Sequence, residues 1–188
     1  MRVSKAKVAE HRSAILESAS RLFRERGFND VGVAEIMQAS GLTHGAFYGH
    51  FRSKADLAGE ACREACAEGL ASWKKTGDIG TIIDRYLSTT HRDTPAKGCA
   101  ISALAADIAR EGPQMQQDYA EGIRRFIGTI EAHLEEPDAQ ARRRKAIAIF
   151  ATMTGALTMA RGVAEGDLAL STEILENARA QLRACFGI

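Results

Sequence analysis

The residues able to do covalent or metal chemistry are few and scattered. Four cysteines, Cys62, Cys66, Cys99 and Cys185, form no CxxC pair and share no ligand spacing with a histidine. This pattern argues against a zinc site and a disulfide framework, and no metal or cofactor is expected. The five histidines, His11, His44, His50, His91 and His133, form no acid–base or nucleophile constellation, so an enzyme is not expected. What remains is recognition chemistry, and it is concentrated in LTHGAFYGHF, Leu42 to Phe51. Thr43 and the free N–H groups of a helix start can hold a phosphate. His44 is placed to touch a base edge, and Tyr48 and His50 can donate to phosphate oxygens. Lys54, just beyond, adds a charge whose pairing with phosphate releases counterions.

Two glycines inside so short a helix need a reason, since each costs about 1 kcal/mol relative to alanine. At about 100° per residue, Phe47 and Phe51 share the inward face. Gly45 and Gly49 fall together on the opposite side, with Ala46 and Tyr48 beside them. A helix lying in a major groove about 12 Å wide must bring its backbone close to bases and phosphates. Missing side chains permit that approach.

The preceding residues supply the elements that hold this strip. Ile15, Leu16, Ala19, Leu22 and Phe23 make one face of an amphipathic helix that Gly27 ends. Val33, Ile36, Met37 and Ser40 make a second, closed by Gly41, and Thr43 is an N-cap for the third. Two short helices across a tight turn, with a first helix packed over them, make a helix-turn-helix.

The segment AILESASRLFRERGFNDVGVAEIMQASGLTHGAFYGHFRSKADL resembles the TetR family of bacterial transcriptional regulators. The matching residues are Ile15 and Ala19, then Leu22, Phe23, Gly27 and Phe28, then the ASGLT, FY and HF pieces, so that the likeness spans roughly residues 10–57. It implies an all-α chain: a three-helix DNA-binding domain over 9–57, its helix-turn-helix at about 32–51, and a larger helical ligand-binding and dimerisation domain over 58–188. It further implies a homodimer, a double-stranded DNA operator and a small-molecule inducer. The DNA-facing set then comprises Gly32, Val33, Thr43, His44, Gly45, Ala46, Tyr48, Gly49, His50 and Lys54, with specificity resting on His44, Gly45 and Ala46. Two positions depart from the family pattern. Gly32 replaces the usual Thr or Ser, a loss of a few tenths of a kcal/mol as a cap. Gly49 replaces a larger polar or aromatic residue, which removes a base contact there.

Charge agrees with that division. Residues 1–54 carry nine Lys/Arg against five Asp/Glu, whereas 55–188 carry sixteen against nineteen, so only the N-terminal part is suited to a polyanion. The N-terminus lacks the apolar core of a signal peptide, and the run at 146–160 is short for a membrane span. A cytoplasmic bacterial protein, on the nucleoid when bound and without a membrane partner, is expected.

Beyond Lys54 the periodicity predicts helices over 54–77, 79–90, 99–111 and 115–134, with a turn-rich loop at 91–98. A helix from 141 follows that is apolar nearly all round beyond Lys145, and the last carries Ile174, Leu175, Ala178, Leu182 and Phe186. The resemblance makes these last two the dimer interface, through Ala148, Thr152, Gly155, Ala156, Met159, Ile174, Leu175, Ala178 and Leu182. Trp73, Cys99, Met115, Tyr119, Phe126 and Met153 are candidates to line a pocket for a mostly apolar ligand. Cys99 starts a helix next to Lys97, a setting that lowers a thiol's pKa. The expected function is a dimeric repressor released from its operator by a small molecule. The alternatives are a repressor that senses oxidants or electrophiles through Cys99, and an architectural DNA-binding module without inducer.

Overall fold

Helix α1 (Lys5–Arg26) begins where the Ser4 hydroxyl accepts the Lys7 N–H at 3.2 Å, so the basic start is already helical from Lys5. The computed structural model describes residues 4–186, and the first three residues of that start lie outside them. Every regular element among the described residues is helical. Gly27 ends α1 with φ +80°, a conformation that disfavours any side chain. Phe28 then folds back edge-on to Phe23, ring centres 5.1 Å apart. Helix α2 (Val33–Ala39) follows without a side-chain cap at Gly32, and Gly41 turns the chain with φ +72°.

The long α3 (Lys54–Lys74) starts on the Ser53 hydroxyl, which accepts the Asp56 N–H at 3.0 Å. It runs on without a break past residue 57, so the expected domain boundary lies inside a continuous helix. The stretch 79–90, expected as one helix, is two: α4 (Ile79–Tyr86) and α5 (Thr89–Asp93). Leu87 leaves helical geometry, and Ser88 caps the new helix by accepting the His91 N–H at 3.1 Å. The expected loop at 91–98 is therefore partly helical: it holds the end of α5 and a 3-10 turn at Pro95–Lys97.

Helix α6 (Ala100–Ile108) leads to α7 (Pro113–Glu131), which opens on proline, a residue suited to a first turn. Asp138 accepts N–H groups of Gln140 and Ala141 to start α8 (Ala139–Val163), and α9 (Leu168–Phe186) packs back along it. One contiguous core runs from Ile15 and Phe23 through Phe47, Leu57, Ile83 and Leu104 to Met153 and Leu182. By length and composition α8 could cross a membrane, but here Ile149, Phe150, Met153 and Leu157 are buried against the rest of the chain.

Candidate nucleic-acid interface and cavity

Residues 44–49 form a 3-10 helix, not the expected α-helix, and Thr43 makes no side-chain cap. The tighter winding is the one short helical pieces adopt, and two glycines remove the side-chain packing that would favour a full α turn. The inward face is nonetheless the expected one. Phe47 and Phe51 are buried with rings stacked at 5.9 Å, and the Arg12 guanidinium lies 4.6 Å over the Phe51 ring. Arg12 is itself gripped by both Glu60 oxygens at 2.6 Å, which braces α1 and α3 behind the segment.

The outward face is bare. Thr43, His44, Gly45, Tyr48 and Gly49 are exposed, Tyr48 at 69%, and Ala46 and His50 are partly covered. A Cβ built on Gly32, Gly45 or Gly49 would meet no described atom within 4 Å. The His44 and Tyr48 rings lie edge to face at 6.4 Å along this surface, and Lys54 flanks it, partly exposed, on the first turn of α3. Val33 is only half-exposed and packs against the core. His50 is less free than its sequence position suggests. Its Nδ1 is buried without a partner among the described residues and its ring meets His11 at 6.2 Å. Burial, then the neighbouring His11 and Arg12, lowers its pKa below the ordinary imidazole value. Arg52, its side chain 90% exposed beside Lys54, was not singled out from the sequence because it precedes the capping Ser53 rather than sharing a helical face.

Further down, a cavity of about 620 Å³ opens between α1, α3, α4, α5, α7 and the Pro95–Lys97 turn. Trp73, Cys99 and Phe126, all expected, line it, with Trp73 edge-on to Phe126 at 4.8 Å and to the buried Tyr86 at 5.9 Å. Met115, Tyr119 and Met153 do not. Met153 is fully buried core, Tyr119 spends its hydroxyl on the Ile101 carbonyl at 2.7 Å, and Met115 lines a separate hollow near the start of α3. Charged groups that the sequence did not bring together also contribute to the wall: Arg24, Glu68, Asp84, Arg85, His91 and Lys97. The Tyr86 hydroxyl is buried there with no partner among the described residues. Cys99 does precede α6, but burial pushes its thiol pKa up, so the lowering anticipated from the helix start and Lys97 is not found.

His91 pins this wall. Its Nδ1–H donates to the Tyr86 carbonyl at 2.7 Å and its Nε2 accepts the Cys99 N–H at 3.1 Å, which requires the neutral ring. Burial, and more weakly Arg161, lowers its pKa, against the Tyr86 carbonyl. The unfolded ring takes up a proton near about pH 6.5 while the folded one resists, so this contribution is complete above about pH 6.5 and lost as pH falls through the folded value. The urea midpoint should therefore drop on acidification below about pH 6.5. His91→Gln should flatten that drop without removing it, because His50 is shifted in the same direction.

At the far end, Ala148, Thr152, Gly155 and Met159 form an exposed strip on α8, Met159 at 58%. Ala156, Leu175 and Leu182, expected in the same interface, are instead buried within the chain where α8 and α9 pack together. Ile174 and Ala178 are partly covered against the same core.

Known proteins resemble the chain in sequence and fold. The sequence profile of bacterial regulatory proteins of the tetR family matches residues 15–61, and that of the LmrA/YxaF-like transcriptional regulator C-terminal domain matches 76–181, more than half the chain. The chain is 47% identical over 57 residues to the HTH-type transcriptional repressor BepR of Brucella suis, a match spanning 30% of this chain but only 27% of that protein. It is 26% identical over 180 residues to the HTH-type transcriptional regulator LmrA of Bacillus subtilis, covering 86% of each. The crystal structure of Escherichia coli NemR in its reduced form superposes with a TM-score of 0.75 at 22% identity, covering 93% of this chain and 95% of that one, which is a likeness of fold.

Proposed function

Because the chain belongs to the TetR family of bacterial regulatory proteins, we propose that it is a dimeric, ligand-released repressor that reads its operator through residues 43–49. The observation that carries this reading is the bare glycine strip, exposed on one side and backed on the other by the buried Phe47 and Phe51. His44, Gly45 and Ala46 face base edges in this reading, while Thr43, Tyr48, His50 and Lys54 hold phosphates, with Gly32 and Val33 beside them. Residues 9–57 act as the DNA-binding part and 58–188 as the ligand-binding and dimer-forming part. Double-stranded DNA, a second copy and a small molecule are the partners, the protein works in the cytoplasm at the nucleoid, and no catalytic role is assigned.

Two copies joined along the exposed strip of α8 would read successive major grooves with recognition segments about 34 Å apart, the spacing of one helical turn of DNA that a palindromic operator requires. A molecule that binds the cavity better in a conformation with the wrong spacing would draw the population off DNA, to the extent of its differential affinity. Cys99 enters as a wall residue of that cavity, where burial raises its thiol pKa.

Selection of bound duplexes from a random library with the purified protein tests the reading, which expects a palindrome with half-sites one turn apart. On the selected duplex, Lys54→Ala should weaken binding whatever the sequence and reduce the slope of log affinity against log salt by about 1. An unchanged slope would remove Lys54 from the phosphate contacts.

A further inference from the structure

One stretch of the cavity wall is held from both sides by arginines of different helices. Gly98, just before α6, gives its carbonyl oxygen to Arg24 of α1, whose Nη1–H donates to it at 3.0 Å. On its other side the guanidinium of Arg161, from α8, donates to the carbonyls of His91 at 2.7 Å and Arg92 at 3.2 Å. A methyl group on Gly98 would lie 2.6 Å from Arg161 Nη2 and 3.0 Å from His91 Nε2, so the Arg161 guanidinium or the Gly98 segment would have to shift to admit it. The Gly98 backbone is extended, φ −83° and ψ −176°, a conformation open to any residue. A side chain is opposed here by crowding, not by torsion.

Arg24 also donates from Nε to the Ser20 carbonyl at 3.1 Å, so its side chain lies along α1 before reaching Gly98. Three contacts tie α1 to the residues that hold the exposed strip: Phe23 on Phe28, Arg26 on Glu35 of α2 at 2.5 Å, and Arg12 on Phe51. Helix α1 also comes close to α6 at Gly27, where an added Cβ would lie 2.9 Å from the Asp107 carboxylate. Arg24, Lys97, Gly98 and Cys99 all line the cavity, so an object entering it on this side presses on the segment whose Gly98 carbonyl Arg24 holds.

We propose that Arg24 is the positioning residue through which the Gly98–Cys99 wall of the cavity sets the placement of α1 and, with it, of the DNA-facing strip. The inference rests on the regulator reading above. A link of this kind differs from a merely structural contact in being conditional: crowding at Gly98 should matter only while Arg24 is present.

The test is a double-mutant cycle of Gly98→Ala and Arg24→Met, in which the added methyl stands in for a ligand. Two readouts are taken on the full chain: affinity for the duplex selected with the unaltered protein, and amide hydrogen exchange of residues 21–31. With Arg24 present, Gly98→Ala should lower affinity by about tenfold or more and speed exchange in that stretch. With Arg24→Met, the same change should alter either readout by less than about twofold. Arg24→Lys, which keeps a donor on a long stem, should restore part of the coupling. Equal effects of Gly98→Ala in both backgrounds, or none in either, would overturn the proposal. If no duplex is ever selected, the regulator reading fails, while the exchange comparison still decides the link. Should Gly98→Ala not fold, Arg24→Met alone decides: faster exchange both at 21–31 and at 97–102 supports the link, and a change confined to α1 refutes it.

Discussion

Replacing Gly45 by leucine should leave the protein folded and nearly abolish its grip on DNA. The folded state should tolerate the change because the segment has no positive φ at this position and no described atom lies within 4 Å of the new Cβ. Loss of glycine freedom in the unfolded chain should even add about 0.4–1 kcal/mol of stability where the native backbone accepts the new residue. On DNA the same side chain is an obstacle. It would hold the backbone off the groove floor at both half-sites, and each spoiled base-pair contact typically costs about 1–3 kcal/mol. A dimer therefore loses at least about thirtyfold in affinity at fixed salt. Thermal melting and operator titration of the same sample separate the two effects. A variant that melts lower and binds equally well would mean the glycine serves the fold and not the interface.

Gly155→Arg should produce the second large effect, at the opposite end of the molecule. No described atom lies within 4 Å of a Cβ on Gly155, so nothing in the single chain opposes the arginine. If the strip of Ala148, Thr152, Gly155 and Met159 is covered by the same strip of a second copy, the two-fold axis brings two arginines into one desolvated seam. Helices in contact lie about 8–10 Å apart, leaving no space for such side chains, and burying unpaired charge costs several kcal/mol per ion. Sedimentation should show monomers at concentrations where the unaltered protein is dimeric, with helical content retained. Operator affinity should fall to that of a single half-site. An unchanged sedimentation coefficient would place the interface elsewhere.

The helix-turn-helix was legible because its information is local. The stripe from Ile15 to Phe23, the turn glycines Gly27 and Gly41, and the pairing of Phe47 with Phe51 each depend on residues within a few positions of one another. Even there, the winding of residues 44–49 was misjudged, since a wheel drawn at α-helical pitch assumes the geometry it is used to detect. The break at Leu87 was marked by Ser88 and the threonines after it, where the apolar stripe of Ile79, Ile82, Ile83 and Tyr86 stops.

The cavity was harder to read for a physical reason. Its polar wall draws Arg24 from α1, Glu68 from α3, Asp84 and Arg85 from α4, His91 from α5 and Lys97 from the turn before α6, and no periodicity in the chain links those positions. The α8 and α9 stripes show a related limit. Apolar spacing marks the faces of Leu175 and Leu182 as covered, but only the packed chain shows that α8 of the same molecule covers them. Of the α8 residues expected at the interface, Ala148, Thr152, Gly155 and Met159 are left exposed.

Hydroxyl-radical footprinting of the protein, free and saturated with its selected duplex, probes the central claim most directly. Tyr48 is the large aromatic standing open on the glycine strip, and its oxidation reports whether that surface is occupied. The account predicts strong protection of Tyr48 and His44 by DNA, while Met159 on the α8 strip reacts equally in both samples. Full reactivity of Tyr48 in the saturated complex, with protection appearing on another face, would contradict it.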